Sequence, residues 1–300
     1  MNGPDFVIAG GHKCATTSIH SMLDKHPDIQ MSEPKEPHYF ARRSLRNRIH
    51  KGIWSSRDYD ALWSSPESLR GEASVLYLYF AEEVALSMLA ECDEPPRIIV
   101  SVRNPIDRAF SSFCDVRLKN PDESATSFES AVRRETLGDT RSLAGPGSPT
   151  LHHLALGFYA DGIETFRRLL GPDHVHLILF DDLRADPGQV MRGIEDFLGI
   201  RPSSIAHTES PRNRGGVRWR SDSFAHLTRS MNLLRARRAL ARKAPRLYGR
   251  LRSAALSRLT ATEDGMSLDT REVLTSLYND EVKALGRLFQ RDLGFWLHDL

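Results

Sequence analysis

Short apolar runs alternate along the chain with segments in which apolar residues recur at helical spacing. Three runs, at residues 6–9, 97–103 and 175–180, are rich in strand-forming residues and predict buried β-strands. Residues 71–74 predict a further short strand. Each of the three runs is followed by a segment with apolar residues three and four positions apart, which predicts a helix. Because strands that alternate with helices build right-handed parallel units, the pattern predicts an α/β fold with a central parallel sheet.

Two helices carry clear sequence signals. The helix after the second run has three start signals. Asn104 can serve as its N-cap, Pro105 suits the first helical position, and the negative charge of Asp107 is favourable near the positive end of the helix dipole. Over residues 270–290, apolar residues repeat at the helical period. This second pattern predicts a C-terminal amphipathic helix that packs against the sheet.

Two polar segments bear on domain organisation. Residues 121–149 predict a loop or acceptor-side insertion rather than a domain linker, so we expect one domain over residues 1–300. Residues 229–258 contain ten Lys or Arg and no Asp or Glu, with apolar residues at helical spacing. This pattern predicts a basic amphipathic helix that contacts an anionic membrane surface, holds an acidic acceptor, or packs on the core with a solvated basic face. No nucleic-acid reading module accompanies the charge, so we expect no nucleic-acid partner.

The composition is that of an ordinary globular protein, with 300 residues, 40% hydrophobic, 27% charged and a net charge of +2. It excludes disordered and collagen-like classes. No apolar stretch approaches the length of a transmembrane helix, and the N-terminal residues lack a signal-peptide pattern. The 3 cysteines are an odd number without CxxC spacing. We therefore expect a cytoplasmic location and no metal site.

A glycine loop joins the first predicted strand to the first predicted helix, with the sequence GGHKCATTS over residues 10–18. Backbone N–H groups and the helix dipole make such a junction an anion site, and a phosphate is its natural occupant. Lys13 can reach a phosphate oxygen, and hydroxyls in the first helical turn add further donors. The Walker A pattern places its lysine directly before Ser or Thr, whereas Lys13 precedes Thr16 by three residues, so that pattern is not matched.

A second candidate anion site follows the second strand. Arg103 closes that strand, and Ser111 lies about two turns into the next helix. Ligands of open α/β sheets bind outside the carboxyl ends of the strands. Both motifs are therefore expected on one rim of the sheet.

The ordered pair of motifs resembles sulfotransferases that use 3′-phosphoadenosine 5′-phosphosulfate (PAPS). The stretch from Gly11 to Ser18 resembles their 5′-phosphosulfate loop, and the stretch from Arg103 to Ser111 resembles their 3′-phosphate motif. The branch it resembles contains heparan sulfate sulfotransferases and bacterial carbohydrate or small-molecule sulfotransferases. The resemblance implies a P-loop-type three-layer αβα domain that needs no metal. It also implies sulfuryl transfer to a hydroxyl, less often an amine, of a carbohydrate, lipid-linked or small-molecule acceptor, with adenosine 3′,5′-bisphosphate as the other product.

The same resemblance assigns site residues. Lys13 would lie near the oxygen that bridges sulfur and the 5′-phosphate, and a late basic glycine loop would close over the 3′-phosphate. The residues expected to bind the donor are Gly11, His12, Lys13, Cys14, Ala15, Thr16, Thr17, Ser18, Arg103, Ser111, Arg212, Arg214, Gly215, Gly216 and Arg218.

Glu36 is favoured as the base that removes the acceptor proton, because its carboxylate matches the base of the heparan branch. His38 is the alternative, since an unperturbed imidazole has a pKa of about 6.5 and suits proton abstraction near neutrality. Pro37 blocks a regular helix here, and in an extended segment both side chains can face one acceptor.

Three residues depart from the family pattern. Ala15 stands where the loop commonly has glycine, and Ala73 stands where a lysine often follows the glutamate of the motif at residues 71–74. Cys14, at a helix N-terminus next to a lysine, is predicted to have a lowered thiol pKa. A P-loop-type small-molecule kinase and a catalytically silent nucleotide-binding scaffold are the alternatives. The failed Walker A spacing opposes the kinase, and Ala15 and Ala73 support the scaffold.

Overall fold

The computed structural model describes residues 3–49, 51–65, 67–120, 122–144, 147–202, 217–219, 260–262 and 265–298. Five strands form a parallel sheet in the order β2-β3-β1-β4-β5. They are β1 (Phe6–Gly10), β2 (Ile29–Met31), β3 (Leu69–Ala73), β4 (Arg97–Val102) and β5 (Val175–Leu179). A separate antiparallel pair consists of β6 (Val217–Trp219) and β7 (Thr260–Thr262).

Helices connect and cover the strands. In the described part of the chain they are α1 (Thr16–Leu23), α2 (Arg42–Leu45), α3 (Ser56–Asp60), α4 (Ala81–Glu91), α5 (Pro105–Lys119), α6 (Phe128–Thr136), α7 (Ala160–Leu170), α8 (Phe180–Ala185), α9 (Pro187–Leu198), α10 (Leu268–Phe289) and α11 (Phe295–His298). Short 3-10 helices lie at Tyr39–Ala41, Tyr77–Phe80, Pro149–Leu151, Ala155–Gly157 and Pro172–His174. Among these described helices, none has both the length and the apolar character needed to cross a membrane.

The predicted parallel sheet is confirmed. The three apolar runs form β1, β4 and β5, and the shorter predicted strand lies within β3. Strand β2 was not predicted, because it has only three residues and carries a glutamine at its centre. The central strand β1 pairs with both β3 and β4, so that Ile8 lies opposite Ala73 on one side and Ile99 on the other.

Alternate residues of the central strands enter two separate cores. Val7 and Val100 belong to the core that α4, α5, α7 and α10 cover. Ile8 and Ile99 belong to the core that α1 and α9 cover on the opposite face. All four side chains are fully buried, and each such burial is worth about 1.5–3 kcal/mol. The period-two pattern of the strands thus produces the three-layer αβα arrangement.

Helix α5 begins where the sequence predicted. Asn104 Oδ1 accepts a hydrogen bond from the Ile106 amide at 2.9 Å, and Pro105 occupies the first turn. A cap of this kind stabilises a helix by about 1 kcal/mol. Ser111 lies on the same helix and lines a cavity together with residues of the glycine loop.

The predicted C-terminal helix is confirmed as α10, although its main neighbours are α5 and α7 rather than the sheet. The predicted loop at residues 121–149 was wrong in part, because it contains α6. Ser127 and Ser130 form a reciprocal capping box at the start of α6, and Phe128 packs into the core. One buried apolar face in an otherwise polar stretch is a weak sequence signal, which is why α6 was missed.

Candidate active site

A cavity of about 190 Å³ lies at the carboxyl ends of β1 and β4. Both predicted anion motifs contribute to its wall, together with the predicted base segment. The lining residues are His12, Lys13, Ala15, Thr16, Thr17, Ser18, Glu36, Val75, Arg103, Ser111, Asp115, Lys119 and Phe180. The two motifs therefore share one rim, as the sequence predicted.

A larger groove of about 530 Å³ lies at the other end of the sheet. Asp5 and Arg97 line it, and these residues lie at the amino ends of β1 and β4. Open parallel sheets bind their ligands at the carboxyl ends, so the smaller cavity is the candidate site.

The glycine loop is fastened to the neighbouring strand. The Gly11 amide donates to the Ser101 carbonyl at 2.6 Å, and Ser101 Oγ donates to the Cys14 carbonyl at 2.7 Å. Lys13 and Ala15 have φ angles of 67° and 62°, in the left-handed region that favours glycine. The departure from the family pattern at Ala15 therefore falls at a backbone position where a Cβ is unfavourable.

Lys13 has a carboxylate partner in the cavity. Its ammonium lies 3.1 Å from Asp115 Oδ1, and Lys119 lies 2.5 Å from the same oxygen. Burial lowers the pKa of Lys13, although Asp115 acts to raise it. Burial raises the pKa of the Asp115 carboxyl, but Lys13 and Lys119 bring it below its ordinary value. The cavity thus holds two cations around one ionised carboxylate.

Arg103 and Ser111 form a second part of the cavity wall. The Arg103 guanidinium lies over the Phe180 ring, 4.7 Å from its centroid, and this contact restricts where the charge can point. Tyr159 donates a hydrogen bond to the Arg103 carbonyl at 3.1 Å. Ser111 is almost fully buried on α5, with only its cavity side accessible. Together they can bind a phosphate through a guanidinium and a hydroxyl.

Glu36 faces the cavity and His38 does not. The Glu36 amide donates to the Ala73 carbonyl at 2.9 Å, which places the segment beside the end of β3. Lys35 Nζ lies 2.7 Å from Glu36 Oε1, and His38 Nε2 lies 3.4 Å from Glu36 Oε2. Burial acts to raise the pKa of Glu36, but hydrogen bonds and charge from His38 and Lys35 hold it well below the ordinary range.

The predicted extended geometry of this segment was wrong. Glu36 and His38 have φ angles of 65° and 56°, so the chain turns at both residues instead of running extended. His38 is consequently buried behind Glu36 and supports its carboxylate.

A buried carboxylate holds the Glu36–His38 segment in place. Glu72 is fully buried, and its carboxylate accepts hydrogen bonds from Tyr59 (2.7 Å), Ser74 (2.8 Å) and Tyr77 (2.9 Å). Ser74 Oγ in turn accepts the His38 amide hydrogen at 3.0 Å. The hydroxyl oxygen of Tyr77 accepts a hydrogen bond from the Phe40 amide at 3.0 Å. Glu72 thus positions the backbone on the C-terminal side of Glu36 through two hydroxyl bridges.

The predicted low pKa of Cys14 was wrong. The side chain is fully buried, and burial raises the thiol pKa although Arg108 and Tyr159 act to lower it. Its sulfur lies 3.8 Å from the Tyr159 hydroxyl, in the core beneath the loop and not in the cavity. A helix N-terminus lowers a thiol pKa only when the sulfur itself faces the helix end and solvent.

Part of the predicted site lies outside the described residues. Arg212, Arg214, Gly215 and Gly216 are among these, as is the basic segment at residues 229–258. The backbone of Arg218 is described in β6, which lies next to α5, the helix that carries Ser111.

The sequence reasoning missed two charged residues of the cavity, Asp115 and Lys119. They follow Ser111 at intervals of four residues on α5, so they share its helix face. Once Ser111 had been assigned to the site, this four-residue spacing could have predicted Asp115 and Lys119 as cavity residues.

Comparisons with known proteins identify relatives of this chain. The model of the sulfotransferase domain family matches residues 3–213. The mouse (Mus musculus) protein heparan sulfate glucosamine 3-O-sulfotransferase 3B1 is 29% identical over 200 residues, which are 66% of this chain and 46% of that protein. The human (Homo sapiens) bifunctional heparan sulfate N-deacetylase/N-sulfotransferase 3 is 29% identical over 209 residues, which are 66% of this chain and 22% of that protein. The chain therefore spans less than half the length of these curated relatives.

A solved structure covers the fold more completely. The sulfotransferase from Alicyclobacillus acidocaldarius superposes with a TM-score of 0.68 and 25% sequence identity, and the match covers 99% of both chains. The similarity therefore extends beyond the two anion motifs to the whole arrangement of strands and helices.

Proposed function

This chain belongs to the sulfotransferase family, and on that premise we propose that it transfers a sulfuryl group from PAPS to a hydroxyl group of an acceptor. The observation that carries the proposal is the single cavity in which Lys13, Glu36, Arg103 and Ser111 meet at the carboxyl ends of the strands. A donor with two separate phosphate positions needs two anion sites on one rim. The positions of Lys13 on one side of the cavity and of Arg103 and Ser111 on the other support the proposal.

The donor groups have distinct tasks in this proposal. Arg103 and Ser111 bind the 3′-phosphate, which ATP lacks. Lys13 and the amides at the start of α1 bind the 5′-phosphosulfate. As the bond from sulfur to the bridging oxygen breaks, negative charge grows on that oxygen, and the Lys13 ammonium stabilises it. Lys13 has to leave Asp115 to do so, and Lys119 remains to pair with that carboxylate.

Glu36 is the proposed base. The acceptor oxygen attacks sulfur in line with the leaving phosphate, and its proton passes to the Glu36 carboxylate. The lowered pKa keeps Glu36 ionised and makes it a weak base, so proton transfer becomes favourable only when bond formation to sulfur has made the hydroxyl acidic. His38 and Lys35 hold the carboxylate in place for this step.

The acceptor is proposed to be a carbohydrate, with lipid-linked and small molecules as further classes, because the curated relatives are named for reactions on heparan sulfate glucosamine. We also propose one domain over residues 1–300. A cytoplasmic location is proposed as well, supported by Cys14, Cys92 and Cys114, which form no disulfide bond in the structure. The basic segment at residues 229–258 is proposed to contact an acidic acceptor or an anionic membrane. Cosedimentation with vesicles that does not depend on anionic lipid would exclude the membrane contact.

Turnover is proposed to need no metal, and loss of turnover in EDTA would contradict that proposal.

Thermal stabilisation by adenosine 3′,5′-bisphosphate tests the donor site, with ADP, ATP and AMP at equal concentration as comparisons. A ligand at a hundredfold excess over its Kd stabilises the native state by about 2.7 kcal/mol, which is easily measured. We expect a shift that requires the 3′-phosphate and is lost in Arg103→Ala. A shift with ATP in its place would favour a kinase, and binding without transfer from PAPS to any of a panel of sugar and small-molecule acceptors would favour a silent scaffold.

A further inference from the structure

Trp296, on the C-terminal helix α11, links the two segments that carry Arg103 and Phe180. Its indole N–H donates to Asp181 Oδ2 at 2.9 Å, and its carbonyl oxygen accepts a hydrogen bond from Asn104 Nδ2 at 2.9 Å. Asn104 directly follows Arg103 in the chain, and Asp181 directly follows Phe180. Trp296 is 1% exposed and does not line the cavity. One buried residue therefore bridges the two neighbours of the Arg103–Phe180 pair, and the proposed transfer mechanism does not use it.

The bridge lies just beyond the point where the strand pairing stops. Strands β4 and β5 pair in parallel as far as Val102 and Leu179. One residue later, the Arg103 guanidinium lies 4.7 Å from the centroid of the Phe180 ring. The two chains then enter the different helices α5 and α8, so strand pairing no longer sets their spacing. The contacts of Trp296 join the two chains again directly after the pair.

The side-chain amide of Asn104 takes part in both the bridge and the helix cap. Its oxygen accepts a hydrogen bond from the Ile106 amide at 2.9 Å, while its nitrogen donates to the Trp296 carbonyl at 2.9 Å. Because the amide has one acceptor end and one donor end, these two partners together fix its orientation. The start of α5, the helix that carries Ser111, is therefore tied to Trp296 through one side chain.

A second set of contacts connects the long C-terminal helix α10 to Arg103. Glu281 of α10 is 3% exposed, and its Oε1 accepts the amide hydrogens of Tyr159 at 2.7 Å and Ala160 at 2.8 Å. The hydroxyl of Tyr159 in turn donates to the Arg103 carbonyl at 3.1 Å. The backbone around Arg103 is therefore connected to both α10 and α11.

We propose that Trp296 is a positioning residue for the donor, because its bridge holds the Arg103 guanidinium against the Phe180 ring, where the 3′-phosphate of the donor binds. A guanidinium binds phosphate through a planar fork of N–H groups, so a rotation of that plane weakens the contact. A guanidinium that is held before the ligand arrives also avoids the entropic cost of ordering a long side chain on binding. The inference rests on the proposed function and adds to it a role for the C-terminal helices in recognition of the 3′-phosphate.

Trp296→Phe tests the bridge in the full-length protein. The substitution keeps a large apolar ring in the core, removes the N–H that binds Asp181, and leaves the charge near the donor unchanged. In calorimetry the Kd of adenosine 3′,5′-bisphosphate should rise about fivefold, as expected for the loss of one hydrogen bond. AMP lacks the 3′-phosphate, so its Kd, measured by competition with the bisphosphate, should change less than twofold. A role in stability alone would weaken both nucleotides equally.

A second variant separates the bridge from the helix cap, and a matched control tests the chemical change itself. Asn104→Ser keeps an oxygen that can accept from the Ile106 amide, but its side chain is too short to reach the Trp296 carbonyl, so we expect the same selective loss of affinity. The control is Trp63→Phe. Trp63 is also buried, donates to the Gly71 carbonyl at 3.3 Å and does not line the cavity. This variant should leave both Kd values within about twofold of wild type.

A double-mutant cycle with Arg103→Lys tests whether Trp296 acts through the guanidinium. Lysine keeps the charge but lacks the planar fork, so in this background Trp296→Phe should raise the Kd of the bisphosphate less than twofold. An equal effect in both backgrounds, equal changes for the two nucleotides, or an unchanged Kd in both Trp296→Phe and Asn104→Ser would overturn this inference and leave the proposed function intact. Failure of the wild-type protein to bind adenosine 3′,5′-bisphosphate would overturn the proposed function, and this inference with it.

Discussion

In the proposed function Asp115 competes with the donor for Lys13, so we predict that Asp115→Asn strengthens donor binding. The Lys13 ammonium lies 3.1 Å from Asp115 Oδ1, and the two side chains are 14% and 21% exposed. A charge-assisted hydrogen bond of this kind is worth about 1.5–3 kcal/mol. Because Lys119 also pairs with Asp115 and remains after Lys13 leaves, we take the lower value. Removing that cost corresponds to a Kd for adenosine 3′,5′-bisphosphate that is about tenfold lower.

A second effect acts in the opposite direction. Asp115 raises the pKa of Lys13 against the effect of burial, so in Asp115→Asn the ammonium loses its proton at a lower pH. The gain in affinity should therefore be largest near neutral pH and shrink as the pH rises. It should also shrink at high salt, because screening weakens the attraction between the freed cations and the ligand.

Isothermal titration calorimetry of wild type and variant, at two salt concentrations and two pH values, measures these effects. The matched control is Asp107→Asn, which removes the same charge from the same helix. Asp107 pairs with Arg271 at 3.2 Å and lies outside the cavity wall. We expect the control to change the Kd less than twofold. An unchanged or weaker affinity in Asp115→Asn would show that Asp115 holds Lys13 ready for the donor instead of competing for it, and would refute the reasoning.

Three further predictions concern the base, acid stability and the loop. Glu36→Gln should lower kcat by about 10²- to 10⁴-fold with the Kd of adenosine 3′,5′-bisphosphate within a few fold, measured by sulfuryl-transfer kinetics and calorimetry; retention of most of kcat would exclude Glu36 as the base. Burial acts to raise the pKa of Glu123, but contacts with His153 and Arg134 lower it from an ordinary 4.5 to about 2 on folding, so its contribution to stability is present above pH 4.5 and lost as the pH falls toward 2. At most about 3 kcal/mol is involved, and in urea unfolding Glu123→Gln should flatten this acid limb; an unchanged limb would contradict the assignment. Ala15→Gly removes the steric cost of a Cβ in the left-handed region but increases the conformational entropy of the unfolded chain. Because both effects are about 1 kcal/mol, we expect the free energy of unfolding to change by less than about 0.5 kcal/mol. A loss above about 1 kcal/mol would contradict this balance.

Local patterns along the chain determined the fold class and the location of the two candidate anion motifs. The runs that became β1, β4 and β5 are apolar because both faces of a parallel sheet are covered, and that requirement is visible in the order of residues. The glycine loop and the capped start of α5 each depend on a few consecutive residues. Since ligands of such sheets bind at the strands' carboxyl ends, the rim shared by Lys13 and Arg103 followed without any knowledge of side-chain contacts.

The tertiary structure decided which chemical groups meet. Asp115 pairs with Lys13 across 102 positions of sequence, and Trp296 joins Asn104 to Asp181 from a distant part of the chain. The same dependence explains Cys14, whose pKa follows from a buried sulfur and not from its position next to a lysine. Protonation states depend on burial and on charges within a few ångströms, and these distances exist only after the chain has folded. The sequence by itself therefore determined the fold class and the edge of the sheet on which the candidate motifs lie. The tertiary structure determined the charge contacts and protonation states within the site.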